Sequence, residues 1–311
     1  MTPTIPRDDV AGRAYNDVRN LAKRNGRDPA EYFTSYALEG FLTRLVKSDY
    51  GNKLVLKGGV LMATFSERRP TRDIDLAAFG FPNNREECEK RIREIAAIEY
   101  SDGLIFDLES IAGEAIRDQA DYQGIRVSLT ARLATANIPF HVDMNFGDPI
   151  DPQPTATALP LLLGGTIEIL AYPLTMLLAE KIVTIIDRGT ANTRWRDFLD
   201  VITISEKCAV DGDELITSIE TVSSYREVQL KTLATVLDGM NRIVQPRWSQ
   251  WRKKQGLEAT SPETFADLTT KLIAFADPII AGATRGTTWN PQQRCWDPSP
   301  ALQWPCGKTT T

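Results

Sequence analysis

A chain of 311 residues, 42% of them hydrophobic, with a formal net charge of −5 can bury a sizeable core, carries a prior of two domains, and leaves any nucleic-acid contact to a local basic patch. No apolar run reaches the roughly eighteen residues of a membrane span, and the start Met1-Thr2-Pro3-Thr4-Ile5-Pro6-Arg7 lacks the apolar core of a signal peptide. A single histidine, His141, and four scattered cysteines, Cys88, Cys208, Cys295 and Cys306, argue against histidine triads, zinc cages and disulfide frameworks; the expectation is a cytoplasmic protein whose chemistry falls to carboxylates, lysine and arginine.

In chain order, a first helix is expected over about Asp8 to Asn25. Asp28-Pro29-Ala30-Glu31 reads as N-cap, N1 proline and N3 glutamate of a second, with Phe33, Tyr36, Ala37, Phe41, Leu42 and Leu45 at helical spacing. Leu54-Val55-Leu56 is a short buried strand running into Gly58-Gly59, and Val60 to Phe65 starts a helix. Asp73-Ile74-Asp75-Leu76 alternates as a half-buried strand, and Asn84 to Ala97 is a charged helix. Two alternating strands follow, Ile125 to Leu133 and Ile138 to Phe146, with Thr135-Ala136-Asn137 as a hairpin-like connection. Gly147 to Pro160 reads as a loop or linker, which sets a boundary between residues 1–160 and 161–311. Beyond Tyr172 the chain reads as helical: Pro173 to Arg188 with Gly189 past its end, about Thr193 to Lys207, Asp213–Ile219, Arg226–Leu237, Ser249–Lys254 and Pro262–Ala281. From Thr284 the tail, with Trp289, Pro291, Trp296, Pro298, Pro300, Trp304 and Pro305, is expected to be irregular and packed by its tryptophans.

The chemistry concentrates at Lys57-Gly58-Gly59 and Arg72-Asp73-Ile74-Asp75-Leu76. Residues i and i+2 of a strand point to one side, so Asp73 and Asp75 converge beside a turn whose N–H groups can face a phosphate. A Gly-Gly pair by itself is commonly a turn, and an Asp-x-Asp pair a solvated strand face. Two like charges side by side cost stability unless a cation neutralises them, and Mg²⁺ takes one or two carboxylates plus substrate phosphates. The Walker A ending is absent. Asp143 stands on the polar face of its own strand; if that strand neighbours Asp73 and Asp75, three carboxylates meet, and the third could accept a proton or complete a metal shell. On the helix after Pro173, Lys181, Ile185 and Arg188 share one stripe and Glu180 and Thr184 another. These are either surface ion pairs or a lysine gripping β- and γ-phosphates with Arg188 nearby. Arg242, Arg247, Arg252, Lys253 and Lys254 cluster around Trp248 and Trp251, a pattern suited to an RNA backbone and an unstacked 3′ end, or to a solvated helix over two core tryptophans. Arg126 and Arg132 could also face RNA.

Taken together, Glu39-Gly40-Phe41-Leu42-Thr43-Arg44-Leu45, Leu54 to Leu61, Arg69-Pro70-Thr71-Arg72-Asp73-Ile74-Asp75-Leu76, Val142 to Pro149, Tyr172-Pro173-Leu174, Ala179-Glu180-Lys181, Arg188-Gly189, Asn192 and Arg196-Asp197-Phe198-Leu199-Asp200 resemble the AbiEii/AbiGii nucleotidyltransferase toxins of type IV toxin–antitoxin systems, and within them the mycobacterial branch that modifies tRNA 3′ ends. The resemblance implies an α+β fold: a DNA polymerase β-like core of mixed sheet and helices plus a mainly helical C-terminal part that contributes Lys181 and Asp197 to the site. It implies an NTP substrate with Mg²⁺, a tRNA acceptor and an AbiEi-like antitoxin. By matched position Asp73 and Asp75 bind metal, Asp143 is the third acidic residue, Lys181 the essential lysine and Asp197 the essential aspartate. Lys57, Gly58, Gly59, Thr71, Lys181 and Arg188 are the nucleotide-binding set, and Thr71 also matches a hydroxyl that antitoxin control could phosphorylate. Arg196 stands where the family often has lysine, which changes hydrogen-bond geometry, and Val60 stands where Thr, Met or Ser is common. The expected reaction is in-line transfer of NMP to the 3′ end of tRNA by a monomer. The same chemistry on a protein or small molecule, and a non-catalytic nucleotide- or RNA-binding protein on the same fold, are the alternatives.

Overall fold

The computed structural model describes residues 5–65, 68, 70–80, 82–118 and 122–298. Met1 to Thr4, Arg69, Pro300, Trp304, Pro305 and Cys306 lie outside the described residues. The chain divides into two compact units, Met1–Leu177 and Leu178–Thr311.

In the first unit, α1 (Val10–Arg24) starts where the Asp9 side chain accepts the Gly12 amide at 2.6 Å, and α2 (Pro29–Lys47) where Asp28 accepts the Ala30 amide at 2.9 Å. Then come β1 (Leu54–Lys57), α3 (Gly58–Phe65), β2 (Asp73–Ala78), α4 (Arg85–Ala96), β3 (Leu104–Asp118), β4 (Tyr122–Leu133), β5 (Ala136–Phe146), β6 (Thr155–Pro160) and β7 (Thr166–Ala171). The strands form one mixed sheet in the order β3-β4-β5-β2-β1-β7-β6, parallel at β2/β5 and β1/β7 and antiparallel elsewhere.

Alternation decides which face is which. Leu56, Ile74, Leu76, Val127, Val142 and Met144 are fully buried, and Phe140 meets Phe41 of α2 edge-on with ring centroids 6.1 Å apart. Each such side chain is worth about 1.5–3 kcal/mol when buried. A one-residue slip would swap this face for the one carrying Asp73, Asp75 and Asp143, so the core itself holds the carboxylates in register on the opposite face.

Two expectations need correction here. Thr155–Pro160 is not linker: it is the edge strand β6, paired with β7. Proline at its last position suits an edge, where no ladder donor is required. The β4–β5 turn is Ala134-Thr135, with Ala134 at φ 50°, rather than Thr135 to Asn137.

In the second unit, α5 (Leu174–Arg188, begun in the first) leads through a 3₁₀ turn, Gly189–Ala191, to α6 (Trp195–Lys207), β8 (Val210–Asp211), α7 (Gly212–Tyr225), α8 (Leu233–Val236), α9 (Met240–Gln255), α10 (Phe265–Ile280), β9 (Thr287–Asn290) and β10 (Cys295–Pro298). Phe198, Trp248, Phe265, Leu268, Leu272 and Phe275 build its core. Three expectations differ. Only Leu233–Val236 of the Arg226–Leu237 stretch is helical, because α7 ends at Tyr225 with Arg226 as its C-cap and Glu227 turns to φ 53°. Helix α9 begins nine residues before Ser249, at Met240, and carries Pro246 within it. The tail is not irregular: β9 and β10 pair with each other and β9 with β8. Trp289 and Trp296 pack on Phe275, and their indole N–H groups donate to the Ser205 and Phe275 carbonyls at 2.6 and 3.1 Å.

Candidate active site

Strand pairing builds the polar face residue by residue. Lys57 of β1 lies opposite Asp75 of β2, Asp75 opposite Asp143 of β5, Asp143 opposite Arg126 of β4, and Arg126 opposite Glu114 of β3. Directly opposed residues share a face, so five charged side chains cross five strands in one row, two adjacent carboxylates between two cations and Glu114 at the end. The neighbouring row holds Asp73, His141 and Ser128; Ser128 Oγ and His141 Nδ1 are 3.0 Å apart. The adjacency of Asp73, Asp75 and Asp143, conditional in the sequence, is met.

Each carboxylate has its own surroundings. Asp143, almost fully buried, accepts both arms of the Arg126 guanidinium, Nε to Oδ1 at 2.8 Å and Nη2 to Oδ2 at 2.7 Å. This doubly hydrogen-bonded ion pair pushes the Arg126 pKa further up. Arg126, offered to RNA by its place on the strand, is engaged here with Asp143, and both oxygens of Asp143 are occupied. Asp73 accepts the Thr71 hydroxyl at 2.8 Å. Asp75 is pushed up from 3.8 to about 6, by burial first and then by Asp73 and Asp143; Lys57 and the Gly59 amide, 3.4 Å from Asp75 Oδ2, oppose the rise. Lys57 is itself buried. Its ammonium donates to Asp148 at 3.2 Å and lies 5.4 Å from the centre of the Tyr172 ring.

Gly58 holds φ +66°, and a Cβ there would stand 1.8 Å from Asp75 Oδ2. The Gly-Gly pair is thus required twice over, by backbone conformation and by the approach of the Asp75 carboxylate to the start of α3. An all-oxygen donor set in which one carboxylate is pushed toward its protonated form by burial and then by its neighbours is suited to a hard divalent cation. Among the described residues no three His, Cys, Asp or Glu side chains form a complete cage.

In the second unit, Lys181 of α5 donates to Asp197 Oδ1 at 3.1 Å and to Asp200 Oδ2 at 2.7 Å, and all three side chains are buried. Arg194 Nε lies 3.0 Å from the other oxygen of Asp197. Asp197 and Asp200 share a face of α6, one turn apart, which is why one ammonium reaches both. On the second stripe, Arg226 bridges Thr184 Oγ1, at 2.9 Å, and Glu180, at 3.6 Å. Arg188 sits at the end of α5, half-buried.

On α9, Arg242, Arg247, Lys253 and Lys254 are exposed. Arg252 is not part of that surface. It is buried, and its guanidinium donates to Ser261 Oγ at 2.8 Å and to the carbonyls of Glu258, Ser261 and Glu263 at 2.8, 3.0 and 3.3 Å. Trp248 is fully buried with Trp251 stacked on it, ring centroids 5.4 Å apart.

A profile described as nucleotidyl transferase AbiEii toxin, Type IV TA system, matches residues 40–271. The chain belongs to the AbiEii nucleotidyltransferase toxin family. No curated protein sequence matches it significantly. Among solved structures it is similar to MenT4, a nucleotidyltransferase toxin of Mycobacterium tuberculosis, with 16% identity and a TM-score of 0.54 over 89% of this chain and 92% of that one. It is also similar to JHP933 from Helicobacter pylori, with 12% identity and a TM-score of 0.48 over 79% and 91%. The fold of this chain is similar to that of the MenT4 structure, and membership of a type IV toxin–antitoxin family implies an antitoxin partner. Among the described residues no helix of this AbiEii protein is long and apolar enough to cross a membrane.

Arg126, Asp148 and Asp200 received no place in the site from sequence. The signal for Arg126 was available: residues 126 and 143 are equidistant from the Ala134-Thr135 turn, so hairpin register alone opposes them. Asp200 sits three residues after Asp197 in the Arg-Asp-Phe-Leu-Asp block. Nothing local marks Asp148, whose partner Lys57 is far away in sequence.

Proposed function

We propose that this protein transfers a nucleoside monophosphate from an NTP to the 3′ end of tRNA, releasing pyrophosphate and blocking translation. The observation that carries the chemistry is the cross-strand row Lys57–Asp75–Asp143–Arg126 with Asp73 beside it. Asp73 and Asp75 would hold Mg²⁺, which when bound supplies Lewis-acid charge at the α-phosphate and the leaving oxygen. The attacking 3′-hydroxyl oxygen forms a bond to the α-phosphorus, and the bond to the β-phosphate oxygen breaks. Asp143 would draw off the hydroxyl proton once an oxygen is released from Arg126. Thr71 orients Asp73 by its 2.8 Å hydrogen bond, and the amides at the start of α3 offer donors to the triphosphate. By the family resemblance Lys181, which Asp197 and Asp200 align, would offset charge on the departing pyrophosphate. The tRNA acceptor is supported by Arg242, Arg247, Lys253 and Lys254 on the outer side of α9, which suit a phosphate backbone. The working compartment would be the cytoplasm.

Incubation with each labelled NTP, total RNA and lysate tests the proposal. Label should enter the tRNA fraction and disappear with Asp73→Ala in a protein that keeps its fold. Label confined to protein or small molecules would refute the acceptor; full incorporation by Asp73→Ala would refute the site.

A further inference from the structure

We propose that Arg126 is a latch that withholds Asp143 from the metal: in the substrate-free protein its guanidinium serves as an internal cation, and loading the site requires it to leave. The inference rests on the nucleotidyltransferase reading of this site.

Among the described residues, Asp143 is the only member of the carboxylate trio held at both oxygens by one cationic side chain, at 2.8 and 2.7 Å. A cation approaching the row meets a guanidinium already seated on it, one residue across from Asp75. The Arg126 charge is felt by Asp73 as well as Asp143, so it sits within the field of the whole trio. Two cations cannot share that space without mutual repulsion, and the stronger competitor displaces the other.

The departure route is also built in. Asp143 is 9% exposed at its side chain, but Arg126 is 33% exposed, so the guanidinium has a path to solvent while its partner does not. Glu114, exposed, lies directly across from Arg126 on β3 and adds to the field that favours its charge. The row therefore has a second carboxylate on the far side of Arg126, away from the trio. Lys57, the cation on the other flank, is set differently: it is tied to Asp148 and buried, which suits a permanent member of the site. One flank is anchored and the other can open.

Binding of Mn²⁺, followed by the free-ion EPR signal without nucleotide, tests this. Arg126→Gln should bind Mn²⁺ about tenfold or more tightly than the unaltered protein, since a neighbouring positive charge is gone and Asp143 is released. Arg126→Lys keeps the charge without the two-pronged grip and should fall between; it carries the test if Arg126→Gln does not fold. Affinity that is unchanged or weaker in the folded variant overturns the latch. Asp75→Asn separates the two levels. If it keeps the affinity of the unaltered protein, the metal-site reading itself fails; if it loses Mn²⁺ while Arg126→Gln gains nothing, only the latch fails.

Discussion

Asp75 makes the metal-free protein less stable than its core would allow, and Asp75→Asn should show it. Its carboxyl is pushed from 3.8 to about 6 by burial and by Asp73 and Asp143. A tenfold change in proton affinity corresponds to about 1.4 kcal/mol, so the charged form is disfavoured in the folded protein by a ceiling of about 3 kcal/mol. Asp75 is half-buried, and solvent screening lowers the expectation to about 1–2 kcal/mol. The sign follows from the raised value. The folded protein holds the proton more tightly than the unfolded chain, so stability is fully present below 3.8 and lost as pH rises through about 6. Asparagine stays neutral and keeps an oxygen for the Gly59 amide. Urea unfolding in EDTA should therefore find Asp75→Asn more stable than the unaltered protein by about 1–2 kcal/mol at pH 8, with the difference vanishing near pH 4. A variant that is less stable at pH 8, or one that shows the same pH slope as the parent, refutes the reasoning.

Glu39, pushed from 4.5 to about 7 by burial against the opposing pull of Arg68 and the Leu162 amide, has the same sign: Glu39→Gln should flatten the stability profile between about pH 5 and 8, measured by the same unfolding series. Gly58→Ala forces a Cβ onto Asp75 Oδ2 at φ +66°; a loss of about 1–3 kcal/mol should accompany collapse of nucleotide incorporation, and a fully active variant would contradict the close approach. Lys181→Met leaves Asp197 and Asp200 buried without their shared ammonium, at a cost of about 3–5 kcal/mol in chemical denaturation. Arg247→Glu with Lys254→Glu should weaken tRNA binding and flatten its log–log salt slope by about 2, whereas Arg252→Ala, which strips four hydrogen bonds from residues 258–263, should lower the melting temperature instead.

What could be read along the chain was local. A capping residue placed the start of α2, because a short side chain must satisfy an orphan amide within a few residues. Two-residue alternation assigned Asp73, Asp75 and Asp143 to polar faces, because an apolar core accepts only one side of each strand. Composition misled where tertiary partners outweigh propensity: a proline- and threonine-rich stretch became edge strand β6, and the tryptophan tail became β9 and β10 once Phe275 and Ser205 were there to receive it.

The sequence by itself determined the carboxylates, the glycine turn and the faces they occupy, since these depend on spacing of a few residues. Only the tertiary structure decided which charge answers which. Lys57 with Asp148, and Lys181 with both Asp197 and Asp200, are pairings between segments that only packing and burial bring together. The energy of a charge depends on the group that fold brings beside it rather than on its neighbours in the chain.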